Sequence, residues 1–96
     1  MISDTGLKIV AALNSLESLI LANTKVTDAG LKELAGLAKL GSLDANLTKI
    51  SDDGLKHLYG MKNLTYLSAQ RTEVTEAGRK RMSEVHPGCY VDLDNR

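Results

Sequence analysis

The sequence predicts an α/β solenoid: a short, right-handed stack of strand–helix units with a parallel sheet on its concave side and helices on its convex side. Three observations predict it. The segments VTDAGLKEL (26–34), ISDDGLKHL (50–58) and VTEAGRKRM (74–82) are near copies of one another. Gly6, Gly30, Gly54 and Gly78 lie 24 residues apart, and Ile2, Val26, Ile50 and Val74 keep the same spacing, as do Thr24, Thr48 and Thr72. Within each unit the hydrophobic period also changes, from that of a strand to that of a helix. One domain of 96 residues is expected, with a partial unit at 1–15, full units at 16–39, 40–63 and 64–87, and a terminal strand at 88–96.

The first helix enters without a strand of its own. It carries Ile9 where later helices carry Glu33, His57 and Arg81, and Ala12 where Gly36, Gly60 and Glu84 follow. A capping helix should be more polar than its neighbours, and this one is less so. Two readings follow: the helix tucks inward over the end of the sheet, or it packs against an upstream repeat, another domain or a second copy, with Ile9 as the self-association residue. Next, in LESLILANT (16–24), Leu19 and Leu21 alternate as in a strand with one buried face. From Thr27 onward Leu31, Leu34 and Leu37 recur at helical spacing, and Leu55, Leu58 and Met61 repeat them one unit later. Ser or Thr at 3, 27, 51 and 75, each followed by Asp4, Asp28, Asp52 or Glu76, supplies a helix start, and capping is the expected role of those acids. Gly36 and Gly60 end or loosen the helices. A single unit cannot bury its strand and helix, so units must stack, with right-handed crossovers between parallel strands.

In the last unit Arg79 replaces the helical Leu. A terminal repeat lacks a covering neighbour, so Arg79, Lys80 and Arg81 read first as a solvated cap and second as a patch for an acidic partner. HPGCYVDLD (86–94) then resumes the strand pattern, with Val91 and Leu93 at the positions of Leu67 and Ala69. Pro87 and Gly88 turn the chain into this fourth strand, and the ending reads as a natural C-terminus.

The unit LESLILANTKVTDAGLKELAGL (16–37) resembles a leucine-rich repeat. Its helical convex side and V/I-S/T-D/E-x-G-L segment are similar to the ribonuclease-inhibitor-like and cysteine-containing subclasses, in bacterial repeats that hold Thr at the usual Asn or Cys ladder position. The resemblance implies that Thr24, Thr48 and Thr72 hydrogen-bond the turn backbone in a buried ladder. It also implies a protein-binding role without naming a partner.

Composition narrows the classes. Net charge is zero with 25% charged residues, so no basic field for nucleic acid is present. Aromatics are only 3%, without Trp or Phe, so the core must be aliphatic. No apolar run is long enough to span a bilayer, and the acidic, interrupted start MISDTGLKIV does not read as a signal peptide. The lone Cys89 excludes an internal disulfide. A cytoplasmic protein, or a piece of a larger one, is expected. Catalysis is not expected. Cys89 and His86 could pair as nucleophile and base, but Pro87 and Gly88 intervene and no third orienting group is evident. No metal-ligand spacing and no phosphate-binding glycine loop occur, so neither metal nor cofactor is expected.

The concave face is where recognition is expected. With Leu19, Leu43, Leu67 and Val91 inward, their neighbours form columns across the sheet: Ser18, Ser42, Tyr66, Tyr90; Ile20, Asp44, Ser68, Asp92; and Ala22, Asn46, Gln70, Asp94. Asn23, Leu47 and Arg71 sit at the strand ends, where Leu47 either swings into the space left by Ala45 or stays exposed. Neighbouring strands lie about 4.8 Å apart, so Tyr66 and Tyr90 should stand side by side. Tyr and Arg often carry interface energy. The expected binding set is therefore Tyr66, Tyr90, Arg71, Asp44, Asp92, Gln70 and Ile20, for a protein partner. The alternative is an assembly role, as a homo-oligomer or a segment of a longer array, with no ligand on the concave face.

Overall fold

The computed structural model describes residues 3–93. Helices and strands alternate strictly: α1 (Asp4–Val10), β1 (Ser18–Ile20), α2 (Asp28–Leu34), β2 (Ser42–Asp44), α3 (Asp52–Leu55), β3 (Tyr66–Ser68), α4 (Glu76–Val85) and β4 (Tyr90–Asp92). The short α3 continues as a tighter 3-10 turn, Lys56–Leu58. The strands form one parallel sheet in the order β1-β2-β3-β4. Its register pairs Leu19 with Leu43, Leu43 with Leu67 and Leu67 with Val91, the 24-residue repeat made physical. Further along each unit, single parallel bridges join Ser3 to Lys25, Thr27 to Lys49 and Ser51 to Glu73. Ile2 and Asp94, the outermost members of two sequence columns, lie outside the described residues.

The core between sheet and helices is aliphatic. Leu31, Leu34, Leu37, Leu40 and Leu43 are fully buried, and so are Leu55, Leu58, Leu64 and Leu67 one unit later. Each contributes about 1.5–3 kcal/mol of burial. Ala45 and Ala69 are equally buried and narrow the core on its sheet side. The hydroxyls of Thr24, Thr48 and Thr72 donate to the carbonyls of Leu21, Ala45 and Ala69 at 2.7–2.8 Å, each within its own turn.

The aspartates do not cap their own helices, contrary to the expectation from sequence. Asp4 accepts from the N–H and hydroxyl of Thr27 at 2.7 and 2.6 Å. Asp28 does the same for Ser51 at 2.6 and 2.5 Å, and Asp52 for Thr75 at 2.8 and 2.6 Å. Each carboxylate thus ties its unit to the next one. This also accounts for the glycine column. A Cβ on Gly30, Gly54 or Gly78 would stand 2.0–2.4 Å from the preceding aspartate's Oδ1, closer than atoms can approach. The helix-start hydroxyls differ among themselves. Thr27 and Thr75 accept from Ala29 N–H and Gly78 N–H, whereas Ser3 and Ser51 make no such bond.

The ends depart from the interior. Arg79 lies half-buried in the leucine column and pairs with Glu76 of its own helix, and Arg81 reaches Glu84 at 3.5 Å. Ile9 is 75% exposed, so the inward-tucked reading of α1 does not hold for this residue. Leu47 is 50% exposed, and its backbone is left-handed at φ 60°. That conformation turns it away from the space beside Ala45. Among the described residues no helix is long and apolar enough to cross a membrane.

Candidate functional site

The strand alternation puts Tyr66 and Tyr90 on the concave face of β3 and β4 as directly paired residues. Their rings stack with centroids 6.1 Å apart and planes 23° from parallel, within the range in which aromatic pairs attract. Tyr66 donates its hydroxyl to Asp92 Oδ2 at 3.0 Å, and Gln70 Nε2 donates to the same oxygen at 3.2 Å. One carboxylate therefore braces a ring from β3 and an amide from the turn after it. Behind them Asn46 Oδ1 accepts from Ser68 Oγ and from Gln70 N–H, both at 2.7 Å. The outcome is a half-buried Tyr66 and a Tyr90 that is 61% exposed against it.

Electrostatics agree with this geometry. The Ser68 hydroxyl favours ionised Tyr66, but the bond to Asp92, burial and the charges of Asp92 and Asp44 together push its phenol upward. It stays a protonated donor near neutral pH.

The other expected residues fall into two separate places. Ile20 is 73% exposed on β1, three strands from Tyr90 and so roughly 14 Å across the sheet. Asp44, on β2 between them, spends one oxygen on Asn46 N–H at 3.0 Å. Arg71 joins neither group. It lies exposed at the strand end with φ 55°, in an open groove of about 530 Å³ shared with Lys25, Leu47, Lys49 and Glu73. Ser68, expected to face solvent, is only 4% exposed because Asn46 holds its hydroxyl. Sequence reasoning missed that bracing role, although Asn46 lies one repeat before Gln70 in the same column.

The Cys89 and His86 pair is not arranged for catalysis. Cys89 is 3% exposed, and burial pushes its thiol up to about 11, away from the thiolate a nucleophile needs. His86 Nε2 instead contacts the Met61 carbonyl oxygen at 2.8 Å. Among the described residues no group of three His, Cys, Asp or Glu side chains could hold a metal ion.

Comparison with known proteins addresses the fold. No family model matches the chain, and no curated protein matches it. Among solved structures it is similar to internalin C2 from Listeria monocytogenes, a leucine-rich repeat protein, with a TM-score of 0.56 over 92% of this chain at 20% identity. The chain covers 48% of that structure, about half its length. The likeness and the four-stranded parallel sheet together define a short βα repeat solenoid of the leucine-rich-repeat type.

Proposed function

We propose that this protein is a non-catalytic protein-binding module that recognises its partner on the concave sheet face. Tyr66, Tyr90, Asp92 and Gln70 form the centre of that site, Ile20 and Asp44 extend it toward β1, and Arg71 lies at its edge. One observation carries the reading: Tyr90 presents most of its ring to solvent while it stacks on Tyr66, whose own hydroxyl is fixed on Asp92 beside the Gln70 amide. An aromatic side chain ordered before binding gives up little entropy on contact, which is the property of an interface anchor. A fold of this kind supports protein interaction in general. Its ribonuclease-inhibitor-like subclass and a buried threonine ladder belong to the same proposal, supported by the three Thr-to-carbonyl bonds.

The test is affinity capture from the source cell, followed by calorimetry with the partner so identified. Tyr90→Ala should weaken that complex by about 1–2 kcal/mol while leaving the urea midpoint nearly unchanged. Unaltered affinity in Tyr90→Ala and in the Tyr66→Ala, Tyr90→Ala double variant places the site elsewhere.

A further inference from the structure

The interior of the solenoid shows what a covered repeat face looks like. Leu34, Leu37, Leu40 and Leu43 are fully buried, and of their counterparts Leu58, Met61, Leu64 and Leu67 only Met61 shows any surface, at 4%. The first unit holds the same column as Val10, Leu13, Leu16 and Leu19. There Leu13 is 53% exposed and the other three are only partly buried. The side chains are equivalent, but no unit covers them.

The polar half of the interface repeats the pattern. Thr27, Ser51 and Thr75 each give an N–H and a hydroxyl to the aspartate of the preceding unit. Ser3 holds the same receiving position, and among the described residues its N–H and hydroxyl meet no acceptor. Gly6 stands where Gly30 and Gly54 leave room for a preceding aspartate and a preceding leucine methyl, and it is half-exposed. The opposite end offers no such match. There Arg79 occupies the leucine position and Glu76 is paired with it.

We propose that the N-terminal end of the solenoid is a docking face for one further strand–helix unit of the same 24-residue kind. That unit covers Val10, Leu13, Leu16 and Leu19, brings an aspartate to Ser3 and sets a leucine against Gly6. A second copy of the chain fits less well. Docked head to tail it presents Glu76 and Arg79 instead of aspartate and leucine, and docked two-fold through β1 it leaves the Ser3 donors unmet. This inference concerns the end of the stack and stands whether or not the concave face binds protein.

The experiment fuses a duplicate of residues 25–48 to the full chain, ahead of Met1 in one protein and after Arg96 in another. Both junctions keep the 24-residue register. Burial of the leucine column should make the N-terminal fusion raise the folding equilibrium constant about tenfold or more, whereas the C-terminal fusion changes it less than about threefold. The Ser3 amide should exchange with solvent at least about tenfold more slowly in the N-terminal fusion, and Asp28→Asn within the added unit should abolish that slowing. Equal gains at both ends overturn the proposal. So does an added unit that stays unfolded by circular dichroism, or sedimentation of the unfused chain as a dimer that protects β1.

Discussion

Helices α2 and α4 open with nearly the same residues, yet their acids bond differently. Asp28 at the start of α2 reaches out of its own unit to two donors of Ser51. Glu76 at the start of α4 turns back on Arg79 within one helix, with both side chains substantially exposed. The same sequence motif is thus a tie between units in the interior and a surface ion pair at the end. Two differences go together: α4 has no following unit to reach, and it carries Glu76 and Arg79 where α2 carries Asp28 and Leu31. A local pattern alone does not carry the energy.

The largest effect separates these two acids. Asp28→Ala removes the acceptor for two short bonds and should cost about 2–4 kcal/mol, whereas Glu76→Ala should cost less than about 0.5 kcal/mol. Urea unfolding of both variants measures the contrast, and similar losses would erase it. Gly54→Ala attacks the same tie from the other side, because its new Cβ meets Asp28 Oδ1 at 2.3 Å. Its cost should shrink by about 1 kcal/mol or more when Asp28 is already Ala. Gly60, in the same unit, has open space and no positive φ. There Ala should stabilise by about 0.4–1 kcal/mol.

A pH-dependent effect belongs to the C-terminal end. The Cys89 thiol ionises near 9.0 when solvated and near 11 when buried, so the folded state holds its proton more tightly. The resulting stability is fully present below pH 9 and is lost as the pH rises through 11. It amounts to about 2 kcal/mol. Tyr66, shifted upward as well, adds to the loss above pH 10. Urea midpoints from pH 8 to 11 should fall less steeply in Cys89→Ala than in the parent, and parallel curves would remove Cys89 from the account. The smallest effect is at the N-terminal end. Ile9→Glu places a charge at a position already 75% exposed and should move the urea midpoint by less than about 0.5 kcal/mol in free energy.

Much of the architecture was legible in the residues. The alternation of Leu19 and Leu21, the helical spacing of Leu31, Leu34 and Leu37, and the constant 24-residue offset together set the elements and their register. The Tyr66–Tyr90 pairing followed directly from that offset. Other features were hidden for physical reasons. The role of Asp4, Asp28 and Asp52 depends on partners 23 residues away, and an acid after Ser or Thr at a helix start looks the same whichever way it bonds. Leu47 reads as a candidate for the core because it is apolar. Its exposure is decided by a left-handed backbone shared with Asn23 and Arg71, a conformation that leucine rarely advertises. The split of Arg71 from the tyrosines has the same origin.

The forward-reaching aspartates also bear on how the molecule opens. Each bond spans one boundary between neighbouring units, and the three bonded boundaries follow one another along the chain like links. Among the described residues no such bond joins the first unit to the last. Thermal opening is expected to start at either end and to advance one boundary at a time, as a zipper does. The middle boundary, where Asp28 holds Ser51, is the last to part. A protein built this way has no single keystone, because each tie holds one boundary alone.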